Sequence, residues 1–354
     1  MHTLSKLSAL ALMCSSSFAY ADTHSDDTRG HFLDPNVLRA QSGVERSSLI
    51  RSSPVLTGVT DFGPVTMERS GTYEIHSAST PGAQGSLIVV ESDDGGFVAL
   101  VDTPDRQGTV VGASDGSQIF IEAPENDYMQ PDTEPGPEPA TLQTRAADTD
   151  ASGVNVIDLL AGFSQSAADR VKDPKAYALA QVESVNLRLR NSQVANARLR
   201  LVGIQVIEEN FPTSTGKNGT LGRVSTLFAE GMKEYGADLV AAYSNAPKGN
   251  SAAGWGFVPG RYSVQQVSYP GTFRHEIGHN VGGSHCNRGQ DSYKFGYGKT
   301  SLCGNKVAYY STPLLSDQHG LPLGDSAKAD MARLWREQAA KMSSYAKPVV
   351  PIDD

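Results

Sequence analysis

Between Gly63 and Pro124, apolar and polar residues alternate in short runs that Gly, Asp and Pro interrupt. Alternation with period two sends one face of a strand inward and the other outward, and the interrupting residues supply turns. GSLIVVES, GFVALVDT, GTVVGAS and SQIFIEA therefore predict four strands of an antiparallel sheet. After Gly153 the pattern changes. VNVIDLLAGFS, ARLRLVGIQVIEE and ADLVAAYS read as strands. DPKAYALAQVESVNLRLRNSQV carries Ala178, Val182, Val185 and Leu189 at helical spacing behind an Asp-Pro start. GTLGRVSTLFAEGMKEYG puts Leu221, Val224, Leu227 and Phe228 on one helix face and stops at Gly236. Strand, helix, strand, helix, strand predicts an α/β domain with a mixed sheet.

The two regions are joined by residues 124–149, rich in Pro, acidic and small residues that cannot bury enough surface to fold. This reads as a linker. Arg145 is a lone basic residue in it and suits a processing protease, although an uncut linker fits the same composition. The chain thus divides into residues 22–123, β-rich, the linker 124–149, and residues 150–354. Residues 22 to about 50 are polar and aperiodic, a loose arm. Ahead of them, MHTLSKLSALALMCSSSFAYA has Lys6 before the apolar run Leu7–Met13 and ends in Ala19-Tyr20-Ala21. That pattern predicts a secretory signal peptide over residues 1–21, and so a secreted protein, with the periplasm as the alternative. No internal stretch is apolar for long enough to span a bilayer, so no stable membrane anchor is expected. The formal charge of -9 excludes nucleic acid as a main partner, because phosphate binding needs a basic face. Of three cysteines, Cys286 and Cys303 remain after the leader is removed. They predict one disulfide, with Cys286 as a thiolate metal ligand beside His285 as the rival.

The chemistry concentrates in FRHEIGHNVGGSHCNRG, Phe273 to Gly289. Residues four apart share a helix face, so His275 and His279 can bind one ion. Glu276 projects beside that ion, where it can take a proton from water. Gly282 can turn left-handed and end the helix. His285 then reaches the same ion from another direction. Three neutral nitrogens with an open fourth position are the arrangement of a catalytic zinc, here one Zn2+ ion.

The full spacing, H-E-x-x-H-x-x-G-x-x-H, resembles the metzincin metallopeptidases, within them the reprolysin-like bacterial branch that includes the peptidyl-Asp metalloendopeptidases. YGADLVAAYS, FGYGKT and VAYYSTP add to the likeness, which covers about residues 150–347. The resemblance implies a metzincin-like catalytic domain with an active-site helix, preceded by a small β-rich prodomain. It implies His275, His279 and His285 as zinc ligands, Glu276 as general base and Gly282 as the turn. Two positions depart from the family pattern. Cys286 stands where an Asp is usual, and Leu302 takes the slot of the methionine turn. KMSSY, Met342 to Tyr345, mimics that turn within a C-terminal helix pattern. A Cys286–Cys303 bridge would tie the zinc segment to the altered turn.

The implied function is a secreted zinc endopeptidase made as a zymogen, with protein or peptide substrates and its own propeptide as inhibitor. The rival is an inactive zinc-binding module with a binding or toxin-like role. Substrate would lie extended along an edge strand from GWGFVPGRYSVQQVSY. Trp255 and Phe257 read as pocket walls or core, and Tyr297 as a group facing the oxyanion. Arg274 reads as a solvated charge or as a receptor for an acidic side chain. No cysteine lies between Asp22 and Val281, so a cysteine switch is excluded. Latency would come from steric cover, or from a carboxylate or a histidine such as His24 or His31.

Overall fold

A computed structural model describes residues 30–32, 65–124 apart from 105 and 116, 136, 138, 145–246 and 252–352. The expected leader, His24 and most of the linker lie outside the described residues. The first sheet has seven strands in the order β1-β7-β6-β5-β4-β3-β2, all antiparallel. They are β1 (Gly30–Phe32), β2 (Thr66–Ser70), β3 (Tyr73–Ser79), β4 (Ser86–Ser92), β5 (Phe97–Thr103), β6 (Arg106–Gly112) and β7 (Gln118–Glu122). The four strands predicted from alternation are β4 to β7. His31 lies on the outer strand β1, opposite Phe120.

The second sheet follows a short parallel-strand logic. β8 (Asn155–Ser164), β9 (Ala197–Ile207), β10 (Leu239–Ser244) and β12 (Tyr262–Gln266) run parallel, and β11 (Gly254–Gly256) joins the edge antiparallel, in the order β11-β12-β10-β8-β9. Every residue of β8 and β10 is buried, as expected of parallel strands covered on both faces. Helices α1 (Gln165–Val171) and α2 (Pro174–Asn191) follow β8; α3 (Thr220–Leu227) and α4 (Ala229–Tyr235) follow β9; α5 (Thr272–Asn280) follows β12; and α6 (Met331–Met342) lies near the C-terminus. Asp173 caps α2 by accepting from the Lys175 and Ala176 amides, and Pro174 sits at the first helical position. The one helix predicted over Gly219–Gly236 is in fact two. Phe228 leaves the helical path and is buried against Phe211, and the side chain's packing overrides continuity.

The first sheet packs against α2, and alternation decides how. Odd-numbered residues of β3 face the helix: Tyr73 bonds Asp173, Ser77 bonds Glu183 and Ser79 receives Asn191. One continuous core joins Ile75, Ile88, Val90, Val98 and Leu100 of the sheet to Val182, Val185 and Leu189 of α2 and to Phe273 and Ile277 of α5. Arg145, the expected processing residue, lies docked. Its amide donates to the Ser344 carbonyl at 3.3 Å, and its guanidinium donates to the Ala346 carbonyl at 2.6 Å and to Asp148. Among the described residues no helix is long and apolar enough to cross a membrane.

Cys286 and Cys303 form a disulfide with their Cα atoms 4.7 Å apart, across a separation of 17 residues. That removes Cys286 as a thiolate ligand, since its sulfur is spent in the bond. Closing a loop of this length restricts the unfolded chain. Replacing both cysteines by serine should therefore lower unfolding free energy by about 3 kcal/mol in urea titrations.

Candidate metal centre

Helix α5 positions the first two histidines. It is buried along its whole length, between β11 and β12 on one side and α2 on the other. Its end is a Schellman turn. The Gly283 amide donates to the Gly278 carbonyl at 3.0 Å, and the Gly282 amide to the His279 carbonyl at 2.8 Å. Gly282 takes φ 105°, a left-handed conformation that a side chain would strain. The chain reverses there and enters β13 (Ser284–Cys286), which carries His285 and pairs with β14 (Phe295–Gly296).

The three side chains converge. The Nε2 atoms of His275 and His285 are 3.0 Å apart, those of His279 and His275 3.2 Å, and those of His279 and His285 3.1 Å. The carbonyl of Gly283 lies 2.8 Å from His279 Nδ1. With the proton on Nδ1 that contact is a donated hydrogen bond, and the Nε2 lone pair points into the triangle. Burial first, then the neighbouring histidines, drives His275 well below its ordinary pKa. Burial, His279 and Arg288 push His285 down to about 3. Both of these rings are held neutral, the ligating form. A tetrahedral zinc with Zn–N bonds of ~2.0–2.1 Å sets its nitrogens ~3.3–3.4 Å apart, close to the observed triangle. The donor set fits that metal.

Glu276 is buried, and burial pushes its carboxyl well above the usual range. Its place is made by two glycines of β11. A Cβ on Gly254 would sit 3.0 Å from Glu276 Oε1, and one on Gly256 would sit 2.8 Å from the Glu276 carbonyl oxygen and 3.3 Å from Oε2. Trp255, between them, points to the opposite face.

Beneath α5, Leu302 is fully buried and sits 3.0 Å from the Cβ position of Gly278. It does so with φ 71°, unusual for a leucine. Met331 at the start of α6 packs against Gly283, with its sulfur 2.5 Å from the Cβ position there. Met342 is buried on α6 in the same core.

Residues 175–286 match the family described as Metallo-peptidase family M12B Reprolysin-like. That segment is similar to reprolysin-like metallopeptidases. The match begins in the first turn of α2 and ends at Cys286, so it spans both zinc-motif helix and turn. No curated protein matches the sequence. Among solved structures, the chain is similar to one described as "Structure of a chaperone-substrate complex", with 22% identity and a TM-score of 0.48. That alignment covers 72% of this chain and 40% of the other. It is also similar to "Crystal Structure of metalloproteinase-II from Bacteroides fragilis", with 10% identity, a TM-score of 0.43, and coverage of 69% and 82%. The chain thus spans well under half the length of the first of these structures.

Other expected site residues fall elsewhere. Phe257 lies in the core cluster with Phe211, Leu221 and Phe228, and Trp255 packs partly buried against it. Tyr297 is 40% exposed in the turn after β14. Arg274 is not solvated; it is 3% exposed, and it donates to Asn305 Oδ1 at 3.1 Å and pairs with Asp102 at 2.7 Å. The sequence reading missed Gly254, Gly256 and Met331. A Gly-x-Gly strand just ahead of a histidine helix was the available signal for the two glycines. Met331 had none, since its contact with Gly283 is set by the path of the chain over 48 residues.

Proposed function

We propose that this chain is an exported zinc endopeptidase, with His275, His279 and His285 as ligands of one zinc ion and Glu276 as general base. The observation that carries it is the triangle of imidazole nitrogens with a buried carboxylate on the adjoining residue. When bound, zinc supplies Lewis acidity toward water and toward the scissile carbonyl. Glu276 accepts the proton that the attacking water loses and returns it to the leaving amine. Its raised basicity, a consequence of burial, suits that exchange.

Among the described residues, an extended substrate has one free sheet edge next to this site, the outer side of β11. Main-chain pairing there would hold a peptide in register without reading its side chains. Linker residues already occupy the continuation of that edge. The Val258 amide donates to the Gly136 carbonyl at 2.7 Å, the Glu138 amide donates to the Pro259 carbonyl at 3.0 Å, and the Arg261 amide donates to Glu138 Oε2 at 2.9 Å. These contacts support a latent form in which the linker provides the cover, with cutting of the linker as activation. The disulfide supports export to an oxidising compartment.

The test is digestion of an unfolded protein by the zinc-loaded full-length chain, before and after cutting the linker. Cleavage that rises on cutting sustains the reading. A folded, zinc-loaded chain that cleaves nothing in either state would sink it. Gly256→Ala tests the seat of Glu276: its methyl group would sit 2.8 Å from the Glu276 carbonyl oxygen and 3.3 Å from Oε2, and so shift that residue. Peptide hydrolysis should fall ~10–100-fold while zinc content holds.

A further inference from the structure

Alternation along β5 sends Val98, Leu100 and Asp102 to the face that packs on the metallopeptidase domain. Asp102 is thus carried into the core, where it is 5% exposed. Two arginines meet it there. Arg188 of α2, 0% exposed, donates to Asp102 Oδ2 at 2.9 Å, and Arg274 of α5 lies 2.7 Å from the same oxygen. The other oxygen accepts from Gln107 at 2.8 Å. Among the described residues, Asp102 is the only carboxylate paired with either arginine.

Arg274 directly precedes His275, and the helix turns the two side chains about 100° apart. Its guanidinium also holds Asn305, whose amide donates to the Gly271 carbonyl at the start of α5 at 3.0 Å. Asn305 closes the turn that carries Leu302, under Gly278, and Cys303, bonded to the residue after His285. Tyr310 donates to the Arg274 carbonyl at 3.0 Å. One carboxylate from the first sheet is therefore linked to the helix of two histidines and to the loop that ties the third.

We propose that Asp102 is a positioning residue of the metal site, and that the sheet carrying it is a lasting part of the metallopeptidase rather than a removable inhibitor. This rests on the reading of the three histidines as zinc ligands. If the sheet left, Arg188 and Arg274 would keep their burial within the helices and lose their counter-charge, which is strongly unfavourable. Burial, and then the Arg274 charge, already press Arg188 down to about 9, with Asp102 opposing them. Departure would also bare Ile75, Ile88, Val90, Val98 and Leu100. The sheet therefore stays after any cut in the linker, and activation moves the linker alone.

The experiment places a specific protease site between Met129 and Gln130 of the full chain, cuts it, and follows both pieces by size exclusion with zinc analysis of each peak. Zinc is expected only where the sheet is present. A separated C-terminal piece that stays folded and keeps its zinc overturns the proposal. Asp102→Ala supplies the second arm, with zinc affinity measured by competition against a chromophoric chelator below the variant's melting temperature. Affinity should fall roughly 10–100-fold, and Asp102→Glu should recover part of it. A folded Asp102→Ala chain with unchanged affinity and only a lower melting temperature shows a merely structural role and overturns it. If that variant does not fold, the cut chain decides. A chain that holds zinc but cleaves no peptide counts against the peptidase reading alone, whereas an uncut chain that binds no zinc overturns both.

Discussion

Glu276→Gln is expected to lower peptide hydrolysis by about 10²–10⁴-fold while leaving zinc in place. The substitution keeps the volume that Gly254 and Gly256 make for the side chain. It removes only the lone pair that accepts a proton from water. Glu276 also stands outside the triangle of histidine nitrogens, so the ligand set is untouched. The measurement pairs steady-state hydrolysis of a quenched peptide with metal analysis of the same preparation. Loss of zinc in the variant would mean that Glu276 holds the metal or its helix, and not the proton. Unchanged hydrolysis would remove it from the chemistry.

Stripping the metal is expected to cost both activity and fold. Three imidazole Nε2 atoms face one another at 3.0–3.2 Å, a geometry that a bound cation would hold together. Metal that binds the native state alone stabilises it by about 4 kcal/mol when present at a thousandfold its Kd. For a domain of this size that corresponds to a melting temperature lower by roughly 8–16 °C after chelation. His279→Ala should melt at the chelated temperature with or without added zinc, and should not cleave. A chelated chain that melts with the wild type would show that the triangle holds no structural cation.

Much of this arrangement could be read from the chain. The zinc motif is local, its two helical ligands are fixed by the 3.6-residue repeat, and Gly282 announces the turn that brings the third. The strands of both sheets follow from alternation or from unbroken apolar runs. What was not legible depends on contacts between distant segments. Arg274 looks like any surface arginine in sequence, and its partner lies 172 positions earlier on another sheet. Asp102 did leave a trace, as an acid at the inward parity of an apolar strand. The break at Phe228 was hidden because an aromatic residue is compatible with a helix, and only Phe211 gives it a reason to leave. Docking of Arg145 on residues 344–346 could not be foreseen from a composition that otherwise reads as linker.

The first sheet has one more property. From β2 to β7 each strand lies beside its neighbour in the chain, so every loop closed is short. The second sheet inserts β10 between β8 and β12 and needs helical crossovers after β8 and after β9. Short loops close before long ones, and the N-terminal region leaves the ribosome first. The meander is therefore expected to be complete while the histidine helix is still being made, presenting Asp102 as a ready anchor for α2 and then α5. Pulse-labelled hydrogen exchange should protect β3 to β6 before β8 and β10. Sequence order would then serve as assembly order, with the metal arriving at a site whose counter-charge was laid down some 170 residues earlier.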